Sequence, residues 1–460
     1  MLKIPDQTVT GERQSASWHP RRWLQFLRLV GLDIGETKRI GWSAIGFSHN
    51  EQDSVGEHEY NLSLCSFLFN LHLKIEGIAN LDGEKMISMP DHHDNTELRG
   101  GDIGTPRGQD YPELKIASRE IELIAQAEFC ELLKNDCVAQ GYKKLVEEER
   151  DQTTDEAKVV KVLDRLEAWL HLQKKDPSPW CDAHENYFKN TIRKNADTIA
   201  NDKLRIATHK LIDSFIRLHQ QGRLGRKRPE IRDSDTAEDR LVVLCDEFQL
   251  AKAITRTSWV AAGLRAFELD TIAQHGHAGL TVPWLIGEVA KERKLKYNTE
   301  EALSAALLRD LGKLYGGDVS VASTSSDDPM RKASRKIRQT AFKIIVSKLR
   351  NDEMQSELSK SHDAAMLQET DMSCSQMAGA RVMDLMFYDG ARRPNYNKKR
   401  TGKFFDRYAK LKIMPLIEKI SDPSLRTLHE DLFGAWTDLI RRKQIRQPLH
   451  KILGKEACLK

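Results

Sequence analysis

Residues 90–106, PDHHDNTELRGGDIGTP, set an adjacent histidine–aspartate pair, His93-Asp94, ahead of two further acids, Glu97 and Asp102. Upstream, DSVGEHEY carries His58; downstream, DEAKVVKVLDRLEAWL carries Asp164. Two imidazoles and two carboxylates from three segments can close around a hard or borderline divalent cation. Such an ion can activate water against a phosphate ester. Spacing alone separates His92 poorly from His93. Four thiolates would indicate structural zinc and an all-oxygen cage calcium; this mixed set suits one Mn, Co, Fe, Ni or Zn ion.

On a helix, His93 and Asp94 diverge by about 100° and reach an ion over the ridge between them. Glu97 then falls on that same side and reads as the general acid/base, its low pKa beside a cation favouring the base role. Asp102 reads as a group that orients a ligand or water from behind.

Around this run the chain is helical in pattern. RRWLQFLRLV, EYNLSLCSFLFNLHLKI, REIELIAQAEFCELL and EAKVVKVLDRLEAWLHL space their apolar residues three and four apart. Thr153-x-x-Glu156 predicts a capping box ahead of the Val159–Leu170 stripe. Strand-like alternation is scarce, so the fold class is all-α. Gly, Pro and Asp cluster at 99–112 and mark a loop. A length of 460 residues calls for two domains. Their expected boundaries are a flexible N-terminus at 1–19, a catalytic domain at 20–221, a linker at 222–240 containing the basic run GRKR, a second domain at 241–445 and a tail at 446–460.

With 72 basic and 68 acidic residues, the net charge of +4 gives no case for a nucleic-acid polymer or a membrane as partner. No apolar stretch is long enough to span a bilayer, and MLKIPDQTVTGERQS lacks the apolar core of a secretory signal. Seven scattered cysteines without a CxxC pair argue for reduced thiols in a cytoplasmic protein.

Beyond residue 240 the chain echoes itself. Arg39-Ile-Gly-Trp42 returns as Arg256-Thr-Ser-Trp259, and 16 residues after each Trp stands a His, His58 and His275. HHDNTELRGGDI (92–103) faces LRDLGKLYGGDV (308–319), bringing Asp94 onto Asp310 and Asp102 onto Asp318. The expectation is a tandem pair of helical bundles. In the second, Arg309 replaces His93, Lys313 replaces Glu97 and Arg381 replaces Asp164. Guanidinium cannot ligate a cation, so this copy is expected to be degenerate and metal-free.

SVGEH, HDNTELRGGDIGTP and DEAKVVKVLDRLEAWL, with WLQFLRLVG…KRIGW before them, resemble the signature segments of HD-domain metal-dependent phosphohydrolases, and among these the 5′-deoxynucleotidase group. The resemblance covers roughly residues 20–175. It implies an all-α fold, which the internal repeat extends to two HD-like bundles in tandem, with metal held by His58, His93, Asp94 and Asp164 and catalytic help from Glu97 and Asp102. Arg39 and Trp42 would face a nucleotide substrate, the guanidinium gripping phosphate and the indole lying against base or sugar. The function it implies is a nucleoside monophosphate phosphohydrolase, its substrate a deoxynucleotide or a modified or 3′-phosphorylated nucleotide from nucleoside-antibiotic metabolism. Two other readings are a nucleotide-binding regulator without turnover and a dNTP triphosphohydrolase. Homodimerisation through helical faces is a further expectation.

Overall fold

In the computed structural model, residues 18–101, 112–225, 230–262, 264–265, 269–318, 329–390, 405–442, 444 and 453 are described. All regular structure among them is helical, apart from two isolated bridges, Lys38–Ser54 and Thr255–Thr271. The first half runs through α1 (Pro20–Leu27), α2 (Val55–Ile75), α3 (Gly83–Ser88), α4 (Glu97–Gly100), α5 (Pro112–Leu132), α6 (Cys137–Asp151), α7 (Asp155–Lys175), α8 (Asp182–Tyr187) and α9 (Asp202–Gln220). The second runs through α10 (Ala237–Phe248), α11 (Ile272–Arg293), α12 (Thr299–Leu308), α13 (Lys313–Gly316), α14 (Pro329–Ser347), α15 (Asp352–Leu367), α16 (Asp371–Gly390), α17 (Met414–Lys419) and α18 (Pro423–Arg441). Among the described residues no helix is long and apolar enough to cross a membrane, and the six described cysteines are unpaired.

Two helices sit at the centre, α2 and α11, each buried along nearly its whole length. Each opens on a capping box, Ser54 with Glu57 and Thr271 with Gln274. The boxes are joined, because Thr271 Oγ1 donates to Glu57 Oε1 at 2.8 Å. Close approach depends on two glycines: a Cβ at Gly56 would stand 2.8 Å from His277, and one at Gly276 would stand 2.2 Å from the Tyr60 ring. The contacts are reciprocal in kind. Tyr60 donates to the Leu307 carbonyl at 2.7 Å, while His277 places Nδ1 2.8 Å from Asp91 and Nε2 2.7 Å from the Val30 carbonyl. One continuous apolar core runs through both halves.

Detail repeats around these two helices. The first residue of each bridge is followed by an arginine whose N–H binds across to the other segment, Arg39 to the Asp53 carbonyl and Arg256 to that of Asp270. A 3-10 turn follows each arginine, at Ile40–Ile45 and Thr257–Ala262. Short α4 and α13 end on glycines of positive φ, Gly101 at 71° and Gly317 at 70°.

Two local expectations need correction. The N-cap of α7 is Thr154, not Thr153: Thr154 is the last extended residue and accepts from Ala157 N–H. Glu156 therefore cannot close a box, and it accepts from Asp82 N–H instead. Residues 89–96 are not a regular helix but consecutive tight turns between α3 and α4, closed by bonds such as Glu97 N–H to the Asp94 carbonyl at 2.9 Å. Further on, the stretch after α9 holds a buried Arg223–Asp235 pair at 2.7 Å; residues 226–229 of the GRKR run lie outside the described residues.

Candidate metal centre

The bridge Lys38–Ser54 and the capping box start α2 at a fixed point, which puts His58 in its first turn, fully buried. Helix α7 brings Asp164 across to it, with His58 Nε2 3.2 Å from Asp164 Oδ1. The turns after α3 supply His93 and Asp94. His93 Nε2 lies 3.2 Å, and His58 Nε2 4.0 Å, from Asp94 Oδ2. His58, His93 and Asp164 offer ligand atoms that all lie within 4.8 Å of one another. Asp94, with its side chain 23% exposed, is the member that meets solvent, so access to the cluster runs past it.

The rings are aimed. The carbonyl of Pro90 can only accept, so His93 Nδ1 donates to it at 2.9 Å. His58 Nδ1 faces the buried Glu167 carboxylate and donates to it. In the neutral ring each Nε2 then keeps its lone pair. Both Nε2 atoms are buried and lack a hydrogen-bond partner, although carboxylate oxygens stand 3.2 Å away, off the hydrogen-bonding line. Lone pairs and carboxylates gathered without a shared proton fit a cation. The residues suit one divalent metal ion of the kind that accepts mixed nitrogen and oxygen donors.

Charge in the pocket points the same way. Burial resists ionisation of His93, yet the charges of Asp94, Glu149 and Asp164 lift its imidazole to about 9. Burial also opposes the charge on Asp164, but Lys161, Arg165 and His58 hold it well below the usual carboxylate range. Lys161 Nζ lies 3.4 Å from Asp164 Oδ2, so that oxygen faces cations while Oδ1 faces His58.

A second group, Asp53, His58 and Glu167, has comparable spacing. Here a cation is already in place: the Lys252 ammonium, from the turn after α10, lies 2.6 Å from both Asp53 and Glu167. Gln249 of that turn also donates to Glu167. Asp53 further accepts from Trp42 Nε1 at 2.7 Å and lies 4.0 Å from Arg39 Nη1. Arg39 and Trp42 are thus tied to His58 through Asp53, the guanidinium 5.7 Å from the indole centroid. Trp42 is half-buried and stacks on Phe47.

Glu97 opens α4, half-buried, and lines a cleft with Gly100, Gly101, Ser118, Ile121 and Glu122. Its charge reaches Glu59, which burial first and then Asp91 and Asp94 push well above the usual range. Glu59 in turn accepts from Asp94 N–H and secures the turn. Asp102 lies outside the described residues. His92 points away from the cluster: Nδ1 donates to the Ser88 carbonyl and the ring packs 4.2 Å from Trp284. Sequence reasoning missed Glu167, Lys161, Glu59 and Lys252. Glu167 had a signal, three residues after Asp164 on one helix face; Lys252 had none.

Residues 34–206 match the family model of the HD domain. A 5′-deoxynucleotidase of Erwinia tasmaniensis is 27% identical over 118 residues, which is 26% of this chain and 59% of that protein. A 5′-deoxynucleotidase of Photorhabdus laumondii subsp. laumondii is 24% identical over the same shares. A third, from Mus musculus, is 30% identical over 147 residues, 32% of this chain and 66% of its own. The chain thus spans 59% of the length of each bacterial relative. No solved structure matches the chain at comparable significance. The matched region is an HD-superfamily helical bundle with a His/Asp metal-binding cluster, distantly related to 5′-deoxynucleotidases.

Proposed function

We propose that the protein is a metal-dependent phosphohydrolase that removes phosphate from a nucleoside monophosphate, with His58, His93, Asp94 and Asp164 as the metal ligands. The observation that carries this reading is the pair of orphaned Nε2 atoms facing two carboxylates, at the cluster matched by the HD-domain model. A divalent ion held there would lower the pKa of water and neutralise charge on a phosphate oxygen.

The chain's own residues supply the rest. Glu167 and the Pro90 carbonyl hold the two imidazoles in one tautomer. Lys161 and Arg165 keep Asp164 ionised. Arg39 would grip phosphate oxygens through charge-assisted bonds, with Trp42 flanking the sugar or base. Glu97 would take and return protons, and Asp102 would assist it. The names of the relatives favour a 5′-deoxynucleotide substrate.

The region from α10 onward is, in the same reading, a degenerate copy of the first bundle. The paired bridges, capping boxes, arginine–tryptophan turns and glycine-ended short helices support it. A screen of 5′- and 3′-monophosphates of nucleosides and deoxynucleosides, supplemented with Mn, Co, Ni or Zn, tests the activity through release of inorganic phosphate. Wild-type protein should release it and Asp94→Ala should not. Release that survives in Asp94→Ala, or none with any metal, removes the proposal.

A further inference from the structure

A cavity in the second half is strongly basic, encloses about 850 Å³ of space between atoms with its open mouth included, and has no part in the reaction above. Six arginines reach it: Arg256 before the 3-10 turn, Arg309 after α12, Arg331, Arg335 and Arg338 on α14, and Arg381 on α16. With Lys313 and Lys412, eight cationic side chains line a wall that carries three carboxylates, Asp310, Asp318 and Asp384.

Those acids are already engaged. Asp384 accepts from Arg256 at 3.0 Å and from Arg381 at 2.8 Å. Asp310 pairs with Arg309 at 3.0 Å and Lys313 at 2.9 Å, and Asp318 with Lys313 at 3.1 Å. Arg331 and Arg335 make no ion pair with any described residue, and Arg338 reaches Asp310 only at 3.9 Å. Three guanidinium atoms in this wall, Arg256 Nε, Arg309 Nη1 and Arg338 Nε, are buried without an acceptor. Arg256 and Arg309 are themselves only 3% and 4% exposed. Buried cationic donors left unsatisfied are costly, and an anion that enters recovers that cost. Burial, and then the like charges of Arg381 and Arg335, push Arg331 down to about 10, which is what crowded cations awaiting a counter-charge produce.

The ligand's class follows from what lines the walls. Fixed guanidinium forks on four segments match several phosphate groups in a row better than one. Trp259 is only 2% exposed and stacked between Tyr388 and Tyr408, so it offers no free face to a base. A metal finds no open position on the histidine, since guanidinium nitrogens of Arg256 and Arg309 stand 2.8 Å from His275 Nδ1 and 2.7 Å from Nε2.

We propose that this cavity is a binding site for a polyphosphate chain, free or carried by a nucleoside triphosphate, which it holds through the phosphates without hydrolysing it. The site does not depend on the activity proposed for the first half.

Calorimetric titration of the full-length protein with inorganic tripolyphosphate, ATP and orthophosphate tests it, run in parallel on Asp94→Ala to separate it from the metal cluster. Tripolyphosphate and ATP should bind at one site with similar affinity in both proteins, and orthophosphate at least about tenfold more weakly. Arg331→Ala/Arg335→Ala should weaken tripolyphosphate by about tenfold or more, because each removes charge-assisted bonds; neither residue has a partner to strand. Lys332→Ala/Lys336→Ala, the same charge loss on the exposed face of α14, should leave it unchanged. No saturable binding, binding of ATP alone, loss in Asp94→Ala, or equal loss in both double variants overturns the proposal.

Discussion

His58 and His275 stand at like points, each buried in the first turn of a central helix four residues after the N-cap of a capping box, yet their surroundings are opposite in sign. Around His58, Glu167 takes Nδ1 while Asp94 and Asp164 face Nε2, so anions meet lone pairs. Around His275, guanidinium groups approach both nitrogens, and burial together with Arg256 and Arg309 drives its pKa down to about 3. Both pockets must balance buried carboxylates with positive charge. One leaves a place that an external cation fits; the other builds the cation into the chain through Arg309 and Arg381. A covalently supplied charge cannot leave, polarise water or be exchanged, so the two pockets differ in the chemistry open to them.

The largest effect should come from the position where the pockets differ most sharply. Asp164→Ala removes a proposed oxygen ligand, and metal content by mass spectrometry should fall to background. Turnover should drop roughly a thousandfold, the several kcal/mol that a metal contributes to phosphoryl chemistry. Arg381→Ala, on α16 of the other pocket, should leave metal content as it is. If both variants lose metal, the two pockets are not independent and the comparison fails.

Lys252 sharpens the contrast from another side, because it belongs to the second half yet neutralises the first. It is 2.6 Å from both Asp53 and Glu167, all three deeply buried. Lys252→Met leaves two facing carboxylates without their cation and should cost about 3–5 kcal/mol in denaturant unfolding. An unchanged midpoint would mean that water or a second ion balances those acids. Glu167→Gln should be milder. It keeps the shape but weakens the hold on the His58 ring, so metal affinity should fall about 10–100-fold by competition with a chelator.

What could be read from residues alone follows the same division. Helical periodicity exposed the bundle, and the motif order singled out the four residues that the fold brings together, because each lies inside a strongly patterned segment. Spacing alone does not decide between His92 and His93. The choice rests on tight turns at 89–96 that send neighbouring side chains in different directions, one onto Trp284 and the other towards His58. Lys252 was equally hidden, since a lysine in a short turn carries no sign of two acids 199 and 85 residues away. The arginine set of the second cavity was legible only at Arg256, Arg309 and Arg381; Arg331, Arg335 and Arg338 share a face solely because α14 is a helix.

The smallest difference lies in the two capping boxes, and it shows how the halves are fastened. The Ser54 hydroxyl accepts from Glu57 N–H, while the backbone N–H of Ser54, which donates to Glu57, survives a side-chain change, so Ser54→Ala should cost about 1 kcal/mol, the usual loss for an N-cap. Thr271 accepts from Gln274 N–H in the same way, but its hydroxyl proton goes to Glu57 in the other helix. Thr271→Ala therefore loses the cap and also a bond to a buried carboxyl, which adds about 0.5–1.5 kcal/mol. Glu57 is already pushed up by burial and can ill spare a donor. The order of the two variants in chemical unfolding is the prediction. If Ser54→Ala proves as costly as Thr271→Ala, the bond between the helix starts contributes nothing, and α2 and α11 are held together by packing at Gly56 and Gly276 alone.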